Sequence, residues 1–76
     1  MYNGHKNWTH WNVSLWIGND EGLYRLADET IKRCATRDKA ARKFLRMLHE
    51  DGITKTPDGA RYSFPAVRAA FSGWTD

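Results

Sequence analysis

The side chains in this chain whose types and spacing best suit chemistry are cations. Seven of the twelve lysines and arginines fall between Lys32 and Arg46, namely Lys32, Arg33, Arg37, Lys39, Arg42, Lys43 and Arg46. Lys39, Arg42, Lys43 and Arg46 recur at i, i+3, i+4 and i+7, the spacing that stacks side chains along one side of a helix. Guanidinium and ammonium groups held this way form a recognition surface for a polyanion or for an acidic patch on another protein. The plainer reading is a solvated helix face. Only Asp38 interrupts the run. Mutual repulsion is therefore not relieved within the segment, which favours an external anionic partner.

Other reactive residue types are scattered. His5, His10, His49 and Cys34 form no CxxC, HxxxH or HxxE pattern, and a structural zinc site needs paired ligands at short spacing. No metal and no cofactor is expected. Cys34 falls on an apolar stripe, where a thiol is normally buried and inert. Lys32 and Arg33 beside it would lower its pKa if it were exposed. Asp20, Glu21, Asp38, Glu50 and Asp51 sit at expected helix starts and ends, where capping and solvation account for them. Asp28 and Glu29 are adjacent and so point in different directions on a helix. There is no Gly-rich phosphate loop, and no enzyme is expected.

The elements that must position the cations read as helices. Leu23, Leu26, Ala27, Ile31, Cys34 and Ala35 follow helical spacing after a cap at Asn19 or Asp20. Thr36 or Asp38 caps a further helix running to about Glu50, with Ala41, Phe44, Leu45 and Leu48 as its apolar face and Asp51-Gly52 as its end. Ser63 caps a last helix, with Pro65 in its first turn and Val67, Ala70, Phe71 and Trp74 on one face. Between them, Thr56-Pro57-Asp58-Gly59 is a turn, since Pro presets φ and Gly accepts positive φ. Residues 53–62 around it form either a short β-hairpin or a loop. The connection between the second and third helices also has the length of a helix-turn-helix, with the basic face on the second of the pair. Against that, the connection has no Gly, and the third helix carries no Asn or Gln to read bases.

Three of the four tryptophans, Trp8, Trp11 and Trp16, lie within nine positions. Thr9 is placed to cap a helix from about Trp11 to Ile17, and Gly18 to end it in a left-handed conformation. A chain of 76 residues has little room for a core. The indoles are therefore expected to supply much of it, with Trp74 closing the core against the N-terminal aromatics. Trp8, just ahead of the helix, is the one best placed to stay exposed as an interface anchor. The chain reads as a single domain, residues 1–76, with an all-α fold of three to four helices. With one cysteine it forms no internal disulfide, so a homodimer is the alternative route to extra burial. It carries neither the apolar run of a secretory segment nor the roughly 20 apolar residues of a membrane span.

The N-terminal run also resembles a group of small, mostly uncharacterised proteins encoded by bacteriophages and plasmids. The residues that carry the likeness are Tyr2-Asn3-Gly4, Asn7-Trp8-Thr9, Trp11-Asn12-Val13, Leu15-Trp16-Ile17, Asn19-Asp20-Glu21 and Tyr24. They cover about a third of the chain, and Thr56-Pro57-Asp58-Gly59 is similar to that group as well. One departure is His10, which separates Thr9 from Trp11 where the group's pattern sets Thr directly before Trp. The resemblance implies a phage or mobile-element origin and a place in the bacterial host cytoplasm. It carries over no catalytic residue. Small phage proteins of this type often bind and block a host protein or ribonucleoprotein complex, inhibitors of CRISPR and other defence systems being the plainest class. On that reading Arg33, Arg37, Lys39, Arg42, Lys43, Arg46 and Trp8 are the expected partner-binding residues. The alternative is a small nucleic-acid-binding regulator using the same basic face.

Overall fold

A computed structural model describes residues 6–74. The chain folds into four helices, α1 (Trp8–Asn19), α2 (Glu21–Arg33), α3 (Arg37–Glu50) and α4 (Phe64–Ser72). It is an all-α fold, as the spacing predicts. α1 and α3 each pack against both α2 and α4. They therefore lie on a diagonal, and their outer sides point away from one another.

Side chains that accept an otherwise orphaned first-turn N–H start each helix. Asp20, Thr36 and Ser63 accept from Leu23, Lys39 and Ala66. α1 departs from expectation at both ends. Asn7, not Thr9, is its cap, accepting from the His10 N–H at 3.0 Å, so the helix begins at Trp8, a turn early. Gly18 does not end it. Among the described glycines only Gly52 and Gly59 have positive φ. Asp20 terminates α1 through its N–H to the Trp16 carbonyl and caps α2 with its carboxylate. The two helices thus abut at a single residue.

The core consists of Val13 and Ile17 from α1, Ala27 and Ile31 from α2, Ala40, Ala41, Phe44 and Leu48 from α3, and Ala66, Val67 and Phe71 from α4. Ala60 and Tyr62, ahead of α4, complete it. Phe44 and Phe71 meet edge to face at 5.3 Å. The expectation that the N-terminal indoles dominate this core is wrong. Trp8 is 39 % exposed, and Trp11 and Trp16 are only half-buried. A peripheral helix turns only part of its circumference inward, and here Asn12, Val13 and Ile17 occupy that part. Trp74 does close the core, but against Phe71 and the α2 residue Tyr24 rather than the tryptophans of α1. Its indole N–H donates to Asp28 at 3.1 Å.

Residues 53–62 are a turn closed by a single antiparallel bridge between Lys55 and Arg61, not a stranded hairpin. The Thr56 N–H donates to the Ala60 carbonyl and the Gly59 N–H to the Thr56 carbonyl. Gly59 takes φ +95°, which a side chain would strain. No described helix is long and apolar enough to cross a membrane.

Candidate functional site

The outer side of α3 is built by the same periodicity that buries its inner side. Ala40, Ala41, Phe44 and Leu48 are buried, and Lys39, Arg42, Lys43 and Arg46 are all exposed on the opposite side. Arg33, at the end of α2, joins them, because it and Lys43 line the same small cleft between the two helices. Arg42 lies over the Phe64 ring at 4.8 Å. With Arg46 it borders a shallow concavity of about 470 Å³ floored by Leu45 and Phe64 and edged by His49 and Glu50.

Glu29 lines the cleft with Arg33 and Lys43, and Glu50 borders the concavity with Arg42 and Arg46, while three other acids are paired within the fold. Asp38 pairs with Arg68 of α4. Asp28 pairs with Lys32 at 2.9 Å. Glu21 pairs with Arg25 at 2.6 Å. Among the described residues, none of Arg33, Lys39, Arg42, Lys43 and Arg46 forms an ion pair.

Two expected binding residues fall outside this face. Arg37 is half-buried. Its Nε donates to the Phe71 carbonyl and its Nη2 to the Trp74 carbonyl, both at 3.2 Å. It therefore holds the C-terminal end of α4, where a cation meets the unpaired carbonyls of the helix. Trp8 is exposed as expected, but on α1, the helix diagonal to α3. His5 lies outside the described residues. Cys34 is half-buried just past the end of α2, its N–H bonded to the Thr30 carbonyl at 3.1 Å. Among the described residues no three His, Cys, Asp or Glu side chains converge as metal ligands would.

A second polar cluster joins α1 to the 56–59 turn. Asn12, only 1 % exposed, accepts the Thr56 hydroxyl at 2.6 Å and donates to Asp58 at 2.9 Å. Trp16 Nε1 donates to the same Asp58 oxygen at 3.0 Å. The Thr56 hydroxyl in turn accepts the Ala60 N–H. The Asn12 amide and then the Trp16 indole hold the Asp58 carboxyl below its ordinary value. Neither Asn12 nor Asp58 is conspicuous in the sequence as chemistry. The available signal is an amide set inside an otherwise apolar run, and a turn that shares a family likeness with that run although more than forty residues separate Asn12 from Thr56. The cluster is structural: no buried side-chain polar atom in it lacks a partner within the fold.

A groove of about 490 Å³ runs beside this cluster, with Trp16, Leu23, Leu48, Ile53 and Tyr62 among its walls. Burial, and then the Asp20 charge, push the Tyr62 phenol above its usual 10.0, so it stays neutral at physiological pH.

The chain belongs to the family of unknown function DUF7249, which it matches over residues 1–74. No curated protein and no solved structure matches it.

Proposed function

We propose that this protein is a non-enzymatic binding protein that engages an anionic surface of a host macromolecular complex through the outer side of α3. On this reading it originates from a phage or mobile element, as its N-terminal run implies, and it occupies a complex in the host cytoplasm. An anti-CRISPR or other anti-defence factor is the plainest class. One observation carries the reading: five exposed cations share one face and none of them is held in an ion pair among the described residues, while Asp38, the acid within their run, is drawn to α4. Like charges held together on a surface raise the local potential and favour a complementary partner.

A second reading, a small nucleic-acid-binding regulator, is favoured by Arg42 over the Phe64 ring beside Arg46. Cations and π faces together suit stacked bases and phosphates. One experiment tests both. Tagged wild-type protein and the Arg42→Glu/Lys43→Glu/Arg46→Glu variant are used to capture partners from bacterial lysate, with and without nuclease. A stoichiometric protein complex that survives nuclease and is lost in the variant supports the inhibitor. Capture that nuclease abolishes, with free nucleic-acid affinity falling steeply with salt, supports the regulator. Undiminished capture by the variant discards the α3 face for both.

A further inference from the structure

We propose that the outer side of α1 is a homodimerisation seam, on which a second copy of this chain docks antiparallel about a two-fold axis. α1 carries six Trp, Val, Leu and Ile side chains among its twelve residues, spread around the helix rather than gathered in one stripe. Its inward side is taken by Asn12, Val13 and Ile17, yet its outward side carries Trp8, Trp11, Leu15 and Gly18. Those positions are spaced by three, four and three residues, the stripe that seats one helix against another. Trp8 and Leu15 are 39 % and 36 % exposed, and Trp11 is half-buried. Between Trp8 and Asn19 the helix has no Lys, Arg, Asp or Glu, which is the opposite of an ordinary solvated face.

The occupant follows from the order of residues along the stripe. An antiparallel two-fold pairing centred between Trp11 and Leu15 sets Trp8 of one copy opposite Gly18 of the other. The same pairing sets Trp11 opposite Leu15. A Cβ built at Gly18 would meet nothing within 4 Å, so the notch is open to receive an indole. The pairing also brings the end carrying the exposed Lys6 to the end carrying the exposed Asp20 of the other copy. A parallel pairing would instead set Trp8 against Trp8, leave Gly18 facing Gly18, and juxtapose like charges at both ends. The large residue, the notch and the opposite charges that an isologous interface needs are all supplied by this one helix. A second copy docked here leaves the basic side of α3, on the diagonal, facing outward.

Two helices of this length bury a small interface, so the expected dimer is concentration-dependent, with a Kd on the order of 10–100 μM. Sedimentation equilibrium of the full chain from about 5 μM to 1 mM tests it. The wild-type mass should rise from one copy toward two. Gly18→Arg and Leu15→Glu should each weaken association at least about 10-fold, with circular-dichroism melting curves showing an intact fold. Lys6→Glu should also weaken it, although an acid near the start of α1 favours the helix. A monomer at every concentration would overturn the proposal and leave the stripe to a different protein. So would a dimer indifferent to Gly18→Arg and Leu15→Glu. A dimer that ignores Lys6→Glu would overturn the antiparallel pairing.

Discussion

Asn12 satisfies two partners with one amide, and both lie on the turn that α1 must dock. Its oxygen takes the Thr56 hydroxyl and its nitrogen gives to Asp58. A buried polar group left without its partner costs about 1–3 kcal/mol. Asn12→Ala strands the Thr56 hydroxyl proton, so we expect a loss of about 2–3 kcal/mol in urea unfolding. Adding Thr56→Ala should cost less than its own single-variant loss, because the stranded group goes with it. Asp58 gives the cluster a pH signature. Its folded pKa is depressed by the Asn12 amide and then the Trp16 indole. The stability it contributes is therefore present above the unfolded value near 3.8 and lost as pH falls through the lower folded value. Asp28, lowered by Lys32 and then Trp74, acts in the same window. Asp58→Asn should thus melt below wild type at neutral pH. The gap should close as pH falls below about 3.8 and through the lower folded value. A gap constant down to the lowest pH would mean that the Asp58 charge contributes nothing.

At the scale of elements, the caps and the α3 boundaries were legible because they rest on local rules. Asp20, Thr36 and Ser63 each precede a helix whose periodicity has a clear inside and outside. α1 was not legible in the same way. Apolar residues spread around the helix carry no directional information, so the sequence could not say which indoles face the core. Asn7 outcompeted Thr9 as cap, consistent with the higher rank of Asn at that position, and thereby moved Trp8 into the helix. Arg37 shows the converse. It stands four, seven and eleven residues before Ala41, Phe44 and Leu48, the inward row of α3. That spacing places it inward, but its charge grouped it with the outward cations. Since it bonds the Phe71 and Trp74 carbonyls, Arg37→Ala should destabilise the fold by about 1–2 kcal/mol. Partner capture, measured on the folded fraction, should be unchanged. Unchanged stability with lost capture would return Arg37 to the binding face.

For the whole molecule, what matters is that two unlike surfaces lie on a diagonal. α2 and α4 separate α1 from α3, so the uncharged aromatic stripe and the unpaired cations are set apart by the core itself. No residue spacing in the sequence reveals this. It follows from which helices touch, and that depends on contacts such as Asn12 with Thr56 and Arg37 with α4 that join segments far apart in the chain. The separation makes a quantitative demand. Sites farther apart than about 7–10 Å and without shared partners couple by no more than about 0.5 kcal/mol. Arg42→Glu/Lys43→Glu/Arg46→Glu should therefore abolish anionic-partner capture and leave the sedimentation mass unaltered, while Gly18→Arg does the reverse. The combined variant should show both losses with no excess. Arg42 also contributes to stability through its place over Phe64, so the triple variant should lose about 0.5–1 kcal/mol in urea unfolding, the range of an exposed cation–π contact. If Gly18→Arg weakened partner capture as strongly as the charge reversal does, the two faces would be acting as one. Binding would then require the dimer, with two basic faces engaging a single extended anion.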